Sequence, residues 1–487
     1  MKNILSFIVF IAATCLMAQD VQVRPWEFNS SSDDFAPAQA HNGRQFYFTS
    51  DRRGGKQRVF EITRNADGMY ELAGMTEGEI NDAKQAGSVT LTPDGNYMVF
   101  AAYEHESRSE GRTDLYSARR VKGEWTEITN LGPTVNSDSW DSQPSITSDG
   151  STLYFASDRP GGQGGTDIYV AYRTREGWTR AQNLGSAVNS MYDDMSPIIS
   201  ADNKTFSFAS NRGGGFGGFD IYFTRLSGTS FAAPRNAGEP INSSSDEYFY
   251  VPLQNTNIAY FSSDRPGGDG ALDVYTAVPN PNEPEAVVYV TGVVSDAETR
   301  EPLGSVVTIT DLKSNKKIAS FNSDDETGEY YVVLIPGRTY SITSTRPGYL
   351  FYSERFEIPA NEKGREIRKD IELSKNVTRL LVFFDFDKSE LKDESIPELE
   401  RIADFLRDRA SVAVLLEGHT DDVGDADYNM KLSRDRAASV KKWLSDHGIE
   451  ASRIETKGYG ESQPLVRETT EEARATNRRV EMKITKF

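Results

Sequence analysis

At 487 residues the chain is too long for one hydrophobic core, so several domains are expected. Its 73 acidic against 54 basic side chains give a formal charge of -19, which argues against binding nucleic acid or anionic lipid through a general basic field. Frequent glycine and 11% aromatics suit a β-rich, turn-rich protein. The chain begins "MKNILSFIVFIAATCLMAQD", with Lys2, an apolar run from Ile4 to Ala13 and a small residue at Ala18. Residues 1–18 read as a secretory signal peptide cleaved before Gln19. Cleavage before Cys15, with lipidation, is the alternative, but Ala12-Ala13-Thr14 is a weak lead-in for it. Cys15 is the single cysteine, so plain cleavage leaves a chain that must rely on packing and not on disulfides. Beyond residue 20 no apolar run approaches the ~18 residues that cross a bilayer, and a soluble periplasmic protein without a transmembrane segment is expected.

From residue 29 to 278 the sequence repeats. "TLYFASDRPGGQGGTDIYVAYR" from Thr152 recurs as "TFSFASNRGGGFGGFDIYFTRL" from Thr205 and "IAYFSSDRPGGDGALDVYTAV" from Ile258. Tyr116, Tyr169, Tyr222 and Tyr275 keep one spacing, as do Asn136, Asn189 and Asn242. Two divergent copies precede them, from Phe46 and Tyr97, making five units. Each unit reads as four short strands divided by turns such as "SDG" and "RPGGQGG", which is what a propeller blade needs. The fifth unit stops after its third strand. The segment "DVQVRPWEFN" falls in register with the missing fourth, because Asn29 stands where Asn189 stands. An N-terminal strand would then close the ring and remove its exposed edges.

The units resemble the WD-repeat-like β-propeller repeats of TolB-type periplasmic proteins, with "SDRPGG…DIY" as the matching core. The resemblance implies a five-bladed β-propeller over 19–278. Tyr103 departs from it, standing in place of the repeat aspartate. Asp51, Asp158 and Asp264 read as turn caps before they read as ligands. Propellers of this kind also precede serine peptidase domains, but no G-x-S-x-G stretch occurs. With four histidines (His41, His105, His419 and His447), no enzyme is expected.

"PNPNEPE", 279–285, reads as a short stiff linker. Short alternating strands follow over 286–374. "VTGVVSDAETREPLGSVVTITD" and "DETGEYYVVLIPGRTYSIT" resemble the carboxypeptidase regulatory-like, transthyretin-like β-sandwich, which implies a spacer or an interaction surface.

From about Val377 strands alternate with helices. "TRLLVFFDFD" and "SVAVLLEGH" read as strands. "SIPELERIADFLRDRA" reads as a helix with Ile396, Leu399, Ile402, Ala403 and Leu406 on one face. "NMKLSRDRAASVKKWLSDHG" reads as a helix that buries Ala437, Val440 and Leu444 and stops at Gly448. "RIETKGYG", a short helix around Glu471 and "RRVEMKITK" complete an α/β sandwich. Asp421 at a strand end can take an ammonium, and Arg436 can grip a carboxylate with two parallel hydrogen bonds. Backbone N–H groups of "DDVGD" and of the helical turn after Tyr428 could serve the same anion. An isolated pair of this kind would be an ordinary surface ion pair.

"FFDFDKSEL", "EGHTDDVGDADYNMKLSRDRAASV", "GYGESQP" and "NRRVEM" make the last domain, 378–487, resemble the OmpA-like peptidoglycan-binding domain, found also in Pal and in flagellar motor stators. The resemblance implies that Asp421 and Arg436 bind diaminopimelate of the peptidoglycan stem peptide, with Asp387, Val423 and Asn429 lining the pocket. It gives Thr420, Leu432, Asn477 and Arg478 supporting places, and Arg479 reads with the last two as a buttress. His419 has no nucleophile beside it and reads as packing. "DDVGDAD" lacks the glycine spacing and terminal glutamate of a calcium loop, so neither metal nor cofactor is expected.

The fold class expected is therefore multidomain and β-rich: propeller, sandwich and OmpA-like α/β sandwich. That order resembles the PorE-type component of type IX secretion, without that component's helical-repeat region. It implies a non-enzymatic wall anchor, associated with peptidoglycan and the outer membrane, whose propeller meets other envelope proteins. The alternative is a periplasmic receptor whose propeller binds a small carbohydrate or peptide.

Overall fold

A computed structural model describes residues 20–40, 43–65, 67–105, 112–121, 123–174, 176–362, 364–384 and 387–486. The expected signal peptide, with Cys15 and the bond before Gln19, lies outside the described residues, as does His41. The chain divides into two compact units, Met1–Glu285 and Ala286–Phe487. No helix among the described residues is long and apolar enough to cross a membrane.

The first unit contains five antiparallel sheets, whose first strands are Asp34–Ala40, Gln85–Leu91, Asp141–Ile146, Asp194–Ile199 and Glu247–Pro252. Strand alternation makes each sheet, and turn chemistry bounds it. In "SDG", for example, Gly150 takes φ 67° while its N–H donates to the Thr147 carbonyl at 2.8 Å. Every first strand carries a bulge, with Ala36, Ser88, Gln143, Ser196 and Phe249 at φ between 48° and 54°. Hydrogen bonds join each sheet to the next. Ser88 N donates to Thr49 Oγ1 at 2.8 Å, Ile146 N to Thr90 Oγ1 at 3.1 Å and Ile199 N to Ser145 Oγ at 2.9 Å. Ser207 Oγ donates to the Tyr250 carbonyl at 2.8 Å, and Ala36 N to Ser262 Oγ at 3.1 Å, which brings the fifth sheet back to the first.

The strand Gln22–Pro25 lies in the fifth sheet, antiparallel to Asp273–Val278, with Gln22 opposite Val278 and Pro25 opposite Tyr275. Asn29 then clasps the Val274 backbone through both ends of its amide, as Asn189 clasps Ile168 and Asn242 clasps Ile221. Trp26 is buried edge-on against Phe46, Phe48 and Tyr260, so side chains of the first and fifth sheets meet on one N-terminal residue.

Four of the sheets share a buried latch. In the third, Asp141 accepts from Ser137 N at 2.6 Å, Ser137 Oγ at 2.7 Å and Arg159, whose Nε donates to Ser157 Oγ at 2.9 Å. Asp34 with Arg52, Asp194 with Arg212 and Glu247 with Arg265 repeat it. Each carboxylate is buried but fully partnered, the condition under which a buried charge is tolerated. Residues 279–285 stay with this unit: Glu285 N donates to Asp202 Oδ2 at 2.8 Å, and Gln254 Nε2 to the Glu285 carbonyl at 2.7 Å.

The second unit opens with two four-stranded sheets around one core that includes Val290, Val307, Ile309, Ile342 and Ile358. A last sheet follows in the order Val377–Leu380, Val480–Lys486, Ala413–Gly418, Ile454–Gly458. Helices α1 (Ile396–Arg407) and α2 (Ala426–Asp446) supply its core with Leu399, Ile402, Ala403, Leu406, Ala437, Val440 and Leu444. Ile396, expected on the buried face, is 38% exposed. It is the first residue of α1, before the helix has settled on the sheet. The expected strand "TRLLVFFDFD" also ends early, at Leu380. Beyond it Leu381 N donates to Glu398 Oε1 at 3.0 Å and Phe383 N to Ser395 Oγ at 2.8 Å, so side chains at the start of α1 take donors a ladder would have used. Glu398 is buried and also accepts from Ser353 Oγ at 2.9 Å, tying α1 to the strand Tyr352–Ile358.

Candidate functional site

Two glycines set the distance between α2 and its sheet. A Cβ on Gly418 would stand 2.0 Å from the Ser433 carbonyl, and one on Gly458 would stand 2.4 Å from Ser433 Oγ. The glycines of "EGH" and "KGYG" therefore let α2 lie directly on two neighbouring strands. That packing brings the end of strand Ala413–Gly418, with Asp421, beside the helix that carries Asn429 and Arg436.

Asp421 is 7% exposed and Arg436 2%, so neither is a surface charge. Asp421 Oδ1 accepts from Val423 N at 3.2 Å, and Oδ2 accepts from Arg478 Nη1 at 2.6 Å. Arg436 Nε donates to the Lys388 carbonyl at 3.1 Å, and the guanidinium lies over the Phe384 ring at 5.1 Å from its centre. Burial pulls the Arg436 guanidinium below its ordinary range, and the nearby Asp421 carboxylate opposes that pull. Among the described residues the ion pair of Asp421 is with Arg478, while Arg436 interacts with Asp421 through space.

The other expected residues surround this pair. Asn429 is buried, and its Nδ2 donates to Glu461 Oε2 at 2.7 Å, to the Val423 carbonyl at 3.2 Å and to the Asp421 carbonyl at 3.5 Å. Asp387 sits at φ 60° and accepts from the Tyr428 hydroxyl. The Val423 side chain is 44% exposed. Thr420 is buried with its N–H on the Gly460 carbonyl at 2.9 Å, and Leu432 is half-buried. Asn477 lies further back, where its amide closes on Leu465 and Val466 and fixes that loop.

Three details differ from the sequence reading. Helix α2 begins at Ala426, before Tyr428, and Asp425 caps it by accepting from Asp427 N at 2.9 Å and Tyr428 N at 3.4 Å. Val423 N is likewise engaged by Asp421. Val423 N, Asp427 N and Tyr428 N, among the backbone donors near the expected anion, are thus already occupied by side-chain carboxylates. Glu461 also belongs to the site through Asn429, although the sequence reading did not single it out.

Glu417, His419 and Glu481 bring carboxylate and imidazole atoms within 4.8 Å of one another, a group able to hold a metal ion. Both carboxylates already have protein donors: Tyr459 Oη donates to Glu417 at 3.0 Å and Arg479 Nε to Glu481 at 2.6 Å. His419 stacks on Tyr459 with ring centres 5.3 Å apart, and both its nitrogens are buried without a hydrogen bond. Burial, then the charge of Arg479, lowers its pKa to about 4, so the ring is neutral at pH 7.

Residues 383–478 match the model of the OmpA family. Among curated proteins the chain is 45% identical over 107 residues to outer membrane porin F of Pseudomonas aeruginosa, covering 22% of this chain and 31% of that protein. It is 39% identical over 98 residues to the peptidoglycan-associated lipoprotein of Pasteurella multocida, covering 20% and 65%. Among solved structures, the peptidoglycan-associated lipoprotein of Burkholderia pseudomallei is 29% identical, with 23% of this chain and 91% of that chain covered and a TM-score of 0.21. The chain spans less than two thirds of the length of these curated relatives. The C-terminal part of the chain, residues 383–478, is an OmpA-like domain.

Proposed function

We propose that the OmpA-like domain anchors the chain to peptidoglycan by holding the amino-acid head of diaminopimelate in the stem peptide. Asp421 takes the ammonium and Arg436 the carboxylate. The observation that carries this reading is the buried Arg436 guanidinium, held through Nε by the Lys388 carbonyl and through its face by Phe384, beside the Asp421 carboxylate. An ordinary structural ion pair would put the two groups in direct contact; here they stand apart, as a ligand inserted between them would require. Asn429 and Asp387 fix the walls, and Arg478 orients Asp421. The domain binds and does no chemistry. The two curated relatives named above, one of them called peptidoglycan-associated, support this reading.

The first unit is on this reading a five-bladed β-propeller, closed by strand Gln22–Pro25, that presents a platform to other envelope or outer-membrane proteins, including those of a type IX secretion complex. Residues 286–374 are the carboxypeptidase regulatory-like sandwich between platform and anchor. The whole chain works in the periplasm against the wall and outer membrane. The purified protein should pellet with diaminopimelate-type peptidoglycan and be released by excess free meso-diaminopimelate. A protein that stays in the supernatant, or that free diaminopimelate cannot release, would refute the anchor.

A further inference from the structure

The second sheet breaks the latch that the other four share. Taking the left-handed residue of each first strand as the reference, Asp34, Asp141, Asp194 and Glu247 lie two residues before it, and in the second sheet Ala86 does. Ala86 is paired with Ala102, just as Asp141 is paired across the strands with Ser157. Two residues after Ala102 stands Glu104, where the other sheets have Arg52, Arg159, Arg212 or Arg265. Carboxylate, hydroxyl and guanidinium are replaced together by two alanines and an outward acid. His105 packs instead edge-on to Phe100 and tilted against Tyr116, with ring centres 6.3 and 5.1 Å away, where Arg159 lies over Phe155 and Tyr169.

A cleft of about 290 Å³ opens at that position, floored by Ala86 and Ala102. Phe35, Tyr103 and Trp140 bring aromatic surface to it, and Gln57, Gln85 and Gln143 bring amides. No described lining residue carries a charge, in a chain of which 26% is charged. Charged residues next to the lining in the chain have partners of their own. Lys84 pairs with Glu104 at 3.3 Å and lies over the Tyr103 ring at 5.0 Å from its centre, so a neutral pair stands at the rim. Asp34 pairs with Arg52 at 2.6 Å, Asp141 with Arg159 and Arg112 with Asp158, and Asp114 accepts from Asn130 Nδ2 at 3.0 Å. Arg58 donates to the carbonyls of Gln57 at 2.9 Å and Lys84 at 3.1 Å. Gln143 Oε1 accepts from Ser196 N at 2.7 Å, which holds one amide in place.

The geometry points to a binding site for a neutral sugar over the second sheet. Aromatic faces suit the C–H face of a pyranose ring, and amides can donate to and accept from its hydroxyls. Absence of formal charge among the described lining residues disfavours an ionic ligand, which would be desolvated against them without a counter-charge. The volume lies at the small end of the ~300–1,000 Å³ usual for ligand sites, enough for one or two rings. This site is independent of the wall site, and Asp421→Ala should leave it unchanged.

Saturation-transfer difference NMR on the full chain tests it, with D-glucose, D-galactose, D-mannose and N-acetyl-D-glucosamine as probes. D-Glucosamine and D-glucuronate are the charged counterparts. At least one neutral sugar should bind saturably, and at least about tenfold more tightly than either charged sugar. Rebuilding the latch with Ala86→Asp, Ala102→Ser and Glu104→Arg fills the cleft with the arrangement the other sheets tolerate. It should weaken binding at least about tenfold with an unchanged circular dichroism spectrum. Trp140→Ala, at the half-exposed rim, should do the same and decides the matter if the triple variant does not fold. Binding of none of the four sugars, equal binding of a charged one, or wild-type affinity in either folded variant overturns the proposal.

Discussion

Arg478 Nη1 donates to Asp421 Oδ2 at 2.6 Å, so the direct ion pair of this carboxylate is with Arg478 and not with Arg436. Arg478 reaches Glu471 with its other nitrogen at 2.6 Å, so its own position is fixed from both sides. Without Arg478 the Asp421 carboxylate is free to swing toward Arg436 and neutralise it, closing the space between them. Arg478→Ala should therefore leave the domain folded and weaken peptidoglycan binding about three- to tenfold, while Arg478→Lys recovers part of the loss. Unchanged or tighter pelleting of Arg478→Ala would mean that Arg478 does not position Asp421.

Gly418 and Gly458 bear on the same site from behind. Gly418→Ala puts a methyl 2.0 Å from the Ser433 carbonyl, a backbone atom that cannot move aside alone. Overpacking of this kind costs about 1–3 kcal/mol, and α2 must rise off the sheet to relieve it. The variant should melt lower and bind peptidoglycan more weakly, because Asn429 and Arg436 travel with α2. Lower stability with full binding would separate the two effects.

His419 gives a pH dependence with a definite sign. Its pKa falls from the ordinary 6.5 to about 4 on folding, so the unfolded chain binds the proton more strongly. The stability this contributes is fully present above pH ~6.5 and is lost as pH falls from there toward 4. By pH 5 the loss should approach ~2 kcal/mol, at ~1.4 kcal/mol per pH unit. Denaturant titrations of the wild type and His419→Gln at pH 7.5 and 5 check this. The variant should lose clearly less on acidification, and equal losses would assign the effect to other groups.

The N-terminal strand joins two sheets far apart in sequence. Trp26→Ala should cost about 3–5 kcal/mol, the usual range for a buried tryptophan. Deleting residues 19–28 should lower the melting transition of the first unit further, since it also removes the ladder to Asp273–Val278. A calorimetric transition unmoved by the deletion would show that the strand does not close this unit.

Much of this arrangement was legible in the sequence because repetition and periodicity report it directly. The register that puts Asn29 with Asn189 placed the N-terminal strand. The 3.6-residue pattern of α1 and α2 placed Leu399, Ile402, Val440 and Leu444 in the core. The site was less legible, for local reasons. Asp425 is an aspartate immediately before the helix, a common N-cap residue, and reading it as one would have shown that the N–H groups of Asp427 and Tyr428 are taken. The bonds from Arg478 to Asp421 and from Asn429 to Glu461 span 57 and 32 residues, and no local pattern announces them. The missing latch of the second sheet is visible as Ala86, Ala102 and Glu104. It becomes meaningful only when strand register shows which residues of the other sheets they replace.

The most direct measurement is co-sedimentation with purified peptidoglycan for the wild type, Asp421→Ala, Arg436→Ala and the double variant, each checked for folding by circular dichroism. Hydrogen bonds to charged groups contribute about 1.5–3 kcal/mol, so each single change should weaken binding roughly ten- to a hundredfold. The double variant should lose less than the sum of the two, because both groups grip one ligand head. Single variants that stay folded and pellet like the wild type would contradict the account.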